Sequence, residues 1–203
     1  MVDSKVTPRA RNAPGQGARL REDIVTAAAE LLRGGTPASS LSLRAVAKRA
    51  GITAPAIYAH FTGLDEILAA VVARRFADFS SALADAVTTA PASDDPRELL
   101  LTRTLAYCRF GLDRPADYAL LFGAGDAHAG VPYEHSAGER SFTEFVAAVA
   151  HADPRVDAFA TAAVLWPALH GLVSARLELS GFPWPPLEDQ VTRLVDALVP
   201  PRP

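Results

Sequence analysis

The sequence predicts an all-α fold, an N-terminal three-helix module followed by a larger helical body. Three observations carry that prediction. Alanine dominates an apolar fraction of 49%, and alanine is the strongest helix former. The β-branched and aromatic residues occur singly, so no segment alternates with the period of a strand. Apolar residues instead recur three and four apart along most of the chain. A length of 203 residues is enough for a small module plus a larger one, each with its own core.

Residues 1–18 hold Pro8, Pro14, Gly15 and Gly17 among basic and polar residues, the composition of a flexible basic arm. From Leu20 a helical stripe begins with Ile24, Ala27, Ala28 and Leu31, and Gly34-Gly35 with Pro37 stop it. Ser42 is placed to cap a second helix with Leu43, Val46, Ala47 and Ala50 inward, ended by Gly51. Thr53 is expected to cap a short third helix from Ala54 to Phe61, with Pro55 tolerated in its first turn. A fourth helix starts after Thr62-Gly63 and runs to about Ala90, with Asp65 and Glu66 suited to its positive end. The stretch from Pro91 to Pro96 is a loop. Further helices are expected over 96–112, 115–122, 137–151, 154–180 and 187–199, with a long Gly-rich connection from Gly123 to Gly138. These elements divide into the arm 1–18, a head 19–75 and a body 76–203.

Several function classes are disfavoured. One cysteine, Cys108, rules out an internal disulfide and a multi-cysteine zinc site, and fits a reducing, cytoplasmic setting. Met1 to Gly17 lacks the apolar core of a signal peptide. Ala158 to Ala175 carries no formal charge, yet its Thr161, Pro167, His170 and Ser174 favour a buried helix over a membrane span. Asp126, His128, Glu134 and His135 cluster in the Gly-rich stretch without paired helical spacing, so neither a metal nor another cofactor is expected. No phosphate loop, serine elbow or zinc-protease motif occurs, so no enzymatic activity is expected.

The net charge of -3 conceals an asymmetry. Residues 1–75 hold eleven Lys/Arg against six Asp/Glu, whereas the remainder holds nine against seventeen. A basic head on an acidic body points to a polyanion as partner of the head. Within the head, Leu41 to Leu68 reads LSLRAVAKRAGITAPAIYAHFTGLDEIL. Two short helices flank an Ala-Gly-Ile turn, the layout in which one helix crosses the DNA backbone and the next enters the major groove. Val46, Ile52 and Ile57 can lock the two helices, and the start of the third helix can meet a phosphate.

This segment resembles the N-terminal domain of TetR-family regulators, densely over residues 20–75 and most specifically in Ser42-Leu43, Ala47 to Ile52 and Ile57 to Phe61. The motif spans 42–61. The resemblance implies that Tyr58 and His60 contact phosphates. The candidate DNA-contacting set is Ser42, Arg44, Lys48, Thr53, Ala54, Pro55, Tyr58 and His60, with Arg9, Arg11, Arg19 and Arg21 expected to lack fixed structure without DNA. Two features depart from the family. Leu64 replaces the usual lysine at the start of the fourth helix, and Ala54, Pro55, Ala56 and Ala59 leave the recognition helix poor in hydrogen-bonding groups.

Behind the head, Trp166 to Leu172 and Arg114 to Phe122 resemble a subgroup of TetR ligand domains marked by Trp…His-Gly. The resemblance implies nine or more helices, a symmetric homodimer through the last two long helices and an inducer pocket in each body. Tyr107, Phe110, Tyr118, Phe122, Trp166 and His170 are the candidate ligand-binding residues, suiting a small lipophilic or aromatic inducer. Phe159, Ala162/Ala163, Trp166, Leu169/His170, Val173 and Leu177 repeat at helical spacing and are expected to give one long helix both a pocket face and a dimer face. Trp184, Leu187, Val191, Leu194, Val195 and Leu198 are expected to complete a four-helix interface. The expected function is a ligand-responsive repressor that binds a near-palindromic double-stranded DNA operator as a dimer. The alternative is a helix-turn-helix regulator whose body serves only protein contact or dimerisation.

Overall fold

A computed structural model describes residues 16–91, 93–122 and 136–201. All regular structure among them is helical, and the boundary between two compact units falls after Leu68. The Asp126, His128, Glu134 and His135 cluster lies outside the described residues, as do Arg9 and Arg11.

The first unit contains α1 (Gln16–Arg33), a single 3-10 turn (Ala38–Ser40), α2 (Leu43–Arg49) and α3 (Ala54–Ile57). Helix α1 starts four residues before the apolar period sets in at Leu20. Arg19 and Arg21 are therefore helical rather than part of an unstructured arm, and the Arg21 guanidinium lies 4.6 Å above the Phe61 ring. The α1 stripe contributes Ile24 and Ala28, and Val46, Ile57, Phe61 and Ile67 complete a fully buried core.

Both α1 and α2 end in the same way. Thr36 N–H donates to the Leu31 carbonyl and Gly35 N–H to that of Leu32. Ile52 N–H likewise donates to Ala47, and Gly51 N–H to Lys48. These are paired Schellman bonds, and they require the left-handed conformations found at Gly35 (φ 89°) and Gly51 (φ 68°). The Ser42 hydroxyl accepts from Ala45 N–H at 3.2 Å, as the sequence predicts.

Helix α3 is shorter than expected. It ends at Ile57, where His60 N–H and Phe61 N–H both donate to the Ile57 carbonyl and tighten the chain into a turn. Helix α4 (Leu64–Thr89) follows, and its first-turn Glu66 carboxylate accepts from both Thr62 N–H and the Thr62 hydroxyl. That pair of bonds, the backbone one foremost, holds the Glu66 carboxyl below its ordinary pKa.

The second unit comprises the rest of α4 with α5 (Pro96–Asp113), α6 (Pro115–Phe122), α7 (Ala137–Ala152), α8 (Ala158–Glu178) and α9 (Leu187–Leu198). Asp95, Ser136 and Asp157 cap α5, α7 and α8 by accepting backbone N–H bonds. Helix α5 is the hub, packed against α6, α7, α8 and α9. Arg97 holds α9 through an ion pair to Asp196 and a bond to the Val199 carbonyl, and Arg109 pairs with Glu188 at 2.8 Å. Helix α8 buries Ala162, Leu165, Leu169 and Val173, whereas Phe159 and Val164 on its other side are more than half exposed. The expectation of a buried helix thus holds for one face only. Of the most apolar window of α8, long and apolar enough to cross a membrane, 22% is buried within the chain.

Gly111 fixes how closely α5 meets its neighbours. A Cβ there would sit 2.6 Å from Val173 Cγ1 on α8 and 2.9 Å from Tyr118 Cδ2 on α6. Gly111→Ala is therefore expected to destabilise the protein by about 1–3 kcal/mol, the usual cost of overpacking a filled core. Urea denaturation would read this as a lower midpoint at constant slope, and an unchanged midpoint would show that the contact relaxes freely.

Candidate functional site

Two sites emerge, one in each unit, and each is described by itself. In the first, α2 and α3 present the DNA-contact candidates on the outside. Ser42, Arg44, Lys48, Thr53, Pro55 and Tyr58 are exposed, whereas Ala54 and His60 are half-buried. Tyr58 is 62% exposed, so it stands away from the core instead of packing on α1. Thr53 occupies the cap position of α3, but its side chain makes no capping bond.

The basic residues divide by partner. Arg49 lies 2.7 Å from the Glu30 carboxylate and is engaged in bracing α2 against α1. Arg44 and Lys48, one turn apart on α2, have no ion-pair partner among the described residues. The arrangement thus offers two uncommitted cations and a phenol on the outside of a rigid helix pair. Such donors can engage the phosphate backbone of a duplex.

The second site is a cavity of about 630 Å³ in the body. One face of α4 from Ala69 to Leu83, with Arg103 and Tyr107 of α5, forms part of its wall. Leu121 and Phe122 of α6, the first turns of α7, and Trp166, Pro167 and His170 of α8 supply the rest. Four of the six predicted ligand-binding residues therefore line it: Tyr107, Phe122, Trp166 and His170. Tyr118 lies one layer behind, stacked on His170 with ring centroids 5.5 Å apart. Phe110 does not line this cavity and instead supports it from behind, edge to face with Phe79 at 5.2 Å.

Sequence reasoning did not single out Phe76, Phe79, Phe142, Phe145 or Arg103 as lining residues. The aromatic pairs at 76/79 and 142/145 are each three apart, a spacing that sets both rings on one helix face. Phe79 meets Tyr107, Phe110 and Phe122 edge to face at 5.2–5.8 Å, and Phe122 also contacts Phe76, Trp166 and His170.

A hydrogen-bonded chain runs through this wall. The Tyr107 and Tyr118 hydroxyls are 3.0 Å apart, Tyr118 Oη lies 2.7 Å from His170 Nδ1, and His170 Nε2 is 3.4 Å from Ser174 Oγ. Both phenols donate if Tyr107 gives to Tyr118 and Tyr118 gives to Nδ1, which leaves the ring proton on Nε2 to be donated to Ser174 Oγ. Burial, together with the neighbouring Tyr118, pushes the Tyr107 hydroxyl far up, and burial does the same to Tyr118. Both remain protonated donors at any physiological pH. Burial likewise pushes the Cys108 thiol up to about 12, so it is an unreactive packing residue.

Burial holds the His170 pKa below its ordinary 6.5. The folded chain therefore resists the proton that the unfolded chain accepts, and stability falls as the pH drops through about 6.5. Part of the decline in unfolding midpoint between pH 7 and 5.5 should disappear in His170→Gln. Equal declines in the two proteins would remove His170 as its cause.

Comparisons with known proteins find matches for both parts of the chain. Residues 24–71 match the family profile for bacterial regulatory proteins of the tetR family, and residues 100–199 match that of a tetracyclin repressor-like C-terminal domain. A Rhodococcus sp. RHA1 protein of unknown function is similar at 25% identity and TM-score 0.70, with 95% of this chain and 96% of that one covered. A member of the TetR family from Streptomyces coelicolor A3 is 22% identical, with 90% and 99% covered and a TM-score of 0.68. The multidrug binding protein EbrR, complexed with imidazole, is 21% identical, with 90% and 96% covered and a TM-score of 0.66. A search of curated protein sequences returns no match.

Proposed function

Because the chain belongs to the TetR family of bacterial regulatory proteins, we propose that it is a ligand-responsive repressor that binds a near-palindromic DNA operator as a homodimer. The observation that carries the reading is the pairing, in one chain, of an exposed basic helix-turn-helix with an aromatic cavity. Arg44 and Lys48 would neutralise phosphates, Tyr58 and His60 would add phosphate contacts, and Ser42 and Thr53 would offer hydroxyls. Base reading would fall to Thr53, Tyr58 and methyl contacts from Ala54 and Pro55 to thymine. Two recognition helices about 34–36 Å apart would then meet successive turns of one duplex face.

The exposed apolar side of α8 supports the dimer. Phe159, Val164 and Leu177 lie on the outside of the single chain, and Ala160 and Ala163 between them are small enough for a close helix approach. The open cavity favours a body that binds a small lipophilic or aromatic inducer over one that only dimerises. Its α4 wall belongs to the same helix whose first turn is anchored at Thr62, so a ligand that displaces α4 would act on the head. The requirement is that the ligand bind the DNA-competent and released states unequally. A coupling of about 1–3 kcal/mol would change operator affinity by about 5–150-fold.

The test is binding to a labelled duplex, followed by anisotropy across a range of salt. The logarithm of the affinity should fall linearly with the logarithm of salt concentration, and Arg44→Ala and Lys48→Ala should each reduce the slope by about 0.9. Tyr58→Ala should weaken binding by roughly tenfold or more, with the dimer mass unchanged by sedimentation. Salt-independent or absent binding would refute the reading, and equal affinity in the variant would remove Tyr58 from the interface.

A further inference from the structure

The cavity walls are aromatic, but among the described residues the charges that line it are not balanced. Three of those residues carry a formal charge: Arg103, Arg140 and Glu144. Arg140 and Glu144 stand one turn apart on α7, are exposed and carry opposite signs, so together they add no net charge at the rim. Arg103 is left over. It is half-buried and has no carboxylate partner among the described residues.

Its place in the cavity is also defined. Phe79 of α4 meets Tyr107 of α5 edge to face at 5.3 Å. The short connection between α4 and α5 makes them antiparallel neighbours, so Leu83 and Arg103 lie together one turn beyond that pair. The lined face of α4 from Ala69 to Leu83 spans about 20 Å at 1.5 Å per residue. Arg103 therefore marks one end of a long apolar slot, with Phe79, Phe122 and Trp166 along its length.

We infer that the ligand of this cavity is an arene bearing a carboxylate, its rings between the aromatic walls and its anionic end on the Arg103 guanidinium. This rests on the reading of the cavity as the inducer site. Among the described residues nothing compensates this half-buried charge, and a carboxylate is the group its planar fork fits best. A neutral ligand would leave that charge without a partner. A cationic ligand would face repulsion at this end and only the solvent-screened Glu144 at the rim.

Three probes with one body and different ends test this: biphenyl-4-acetate, 2-(biphenyl-4-yl)ethanol and 2-(biphenyl-4-yl)ethylammonium, titrated calorimetrically into the full chain. The acid should bind about tenfold or more tighter than the alcohol, and the amine weakest. Arg103→Gln should bring the acid down to the alcohol while leaving the alcohol unchanged, and Arg103→Lys should keep part of the preference. Equal binding of acid and alcohol, or a preference that survives in Arg103→Gln, would overturn the inference alone. Tightest binding of the amine would do the same and assign the charge selection to Glu144. If none of the three binds, the reading of the cavity as an arene-binding inducer site falls, and this inference falls with it.

Discussion

The body depends on one close approach, where α5 meets α8 and α6 at Gly111. The absence of a side chain there lets the Tyr118 ring and Val173 lie where a Cβ would stand. With Tyr118 so placed, its hydroxyl reaches both Tyr107 and His170. Two phenols and an imidazole are thereby satisfied within an apolar wall, where an unpaired polar group would cost about 1–3 kcal/mol. The same packing leaves Phe122 free to join Phe79 in lining the space beyond. In this part of the cavity wall the two phenols and the imidazole are already paired, so in the proposed reading a ligand would be held by apolar surface and by Arg103.

The head rests on a different constraint, the geometry of helix ends. Gly51 ends α2 in a left-handed conformation, and the bonds from Gly51 and Ile52 back to Lys48 and Ala47 fix the direction in which α3 departs. Val46 and Ile57 then close the angle from inside. The ion pair between Glu30 and Arg49 holds α2 from outside, which divides the basic residues into one that braces the fold and two that face solvent uncommitted. Rigid placement of a few donors is what recognition of a duplex requires.

Much of this was legible in the sequence, because the signals were local. Ser42 as a cap, Gly51 as a stop and the starts of α5, α6, α7 and α9 followed from residue chemistry and period alone. Where the signal was not local, the sequence fell short. Helix α1 begins before its apolar stripe, because exposed residues such as Arg19 need no period to be helical. Helix α3 closes early because the Ile57 carbonyl takes the His60 and Phe61 N–H groups at once, a backbone turn that the apolar period does not encode. The sequence groups Phe110 and Tyr118 with the cavity residues because aromatic residues on α5 and α6 look alike in one dimension. Only packing separates the ring that lines from the ring that supports. The same limit applies to Arg103, because an arginine on a helix reads as solvated until the cavity beside it is visible.

The central claim is that this chain reads a DNA sequence, and selection of bound fragments from random or genomic duplex tests it most directly. The account predicts enrichment of one inverted repeat whose half-sites lie about one helical turn apart, held more tightly than unrelated duplex at the same salt concentration. Recovery of fragments with no shared sequence would contradict it.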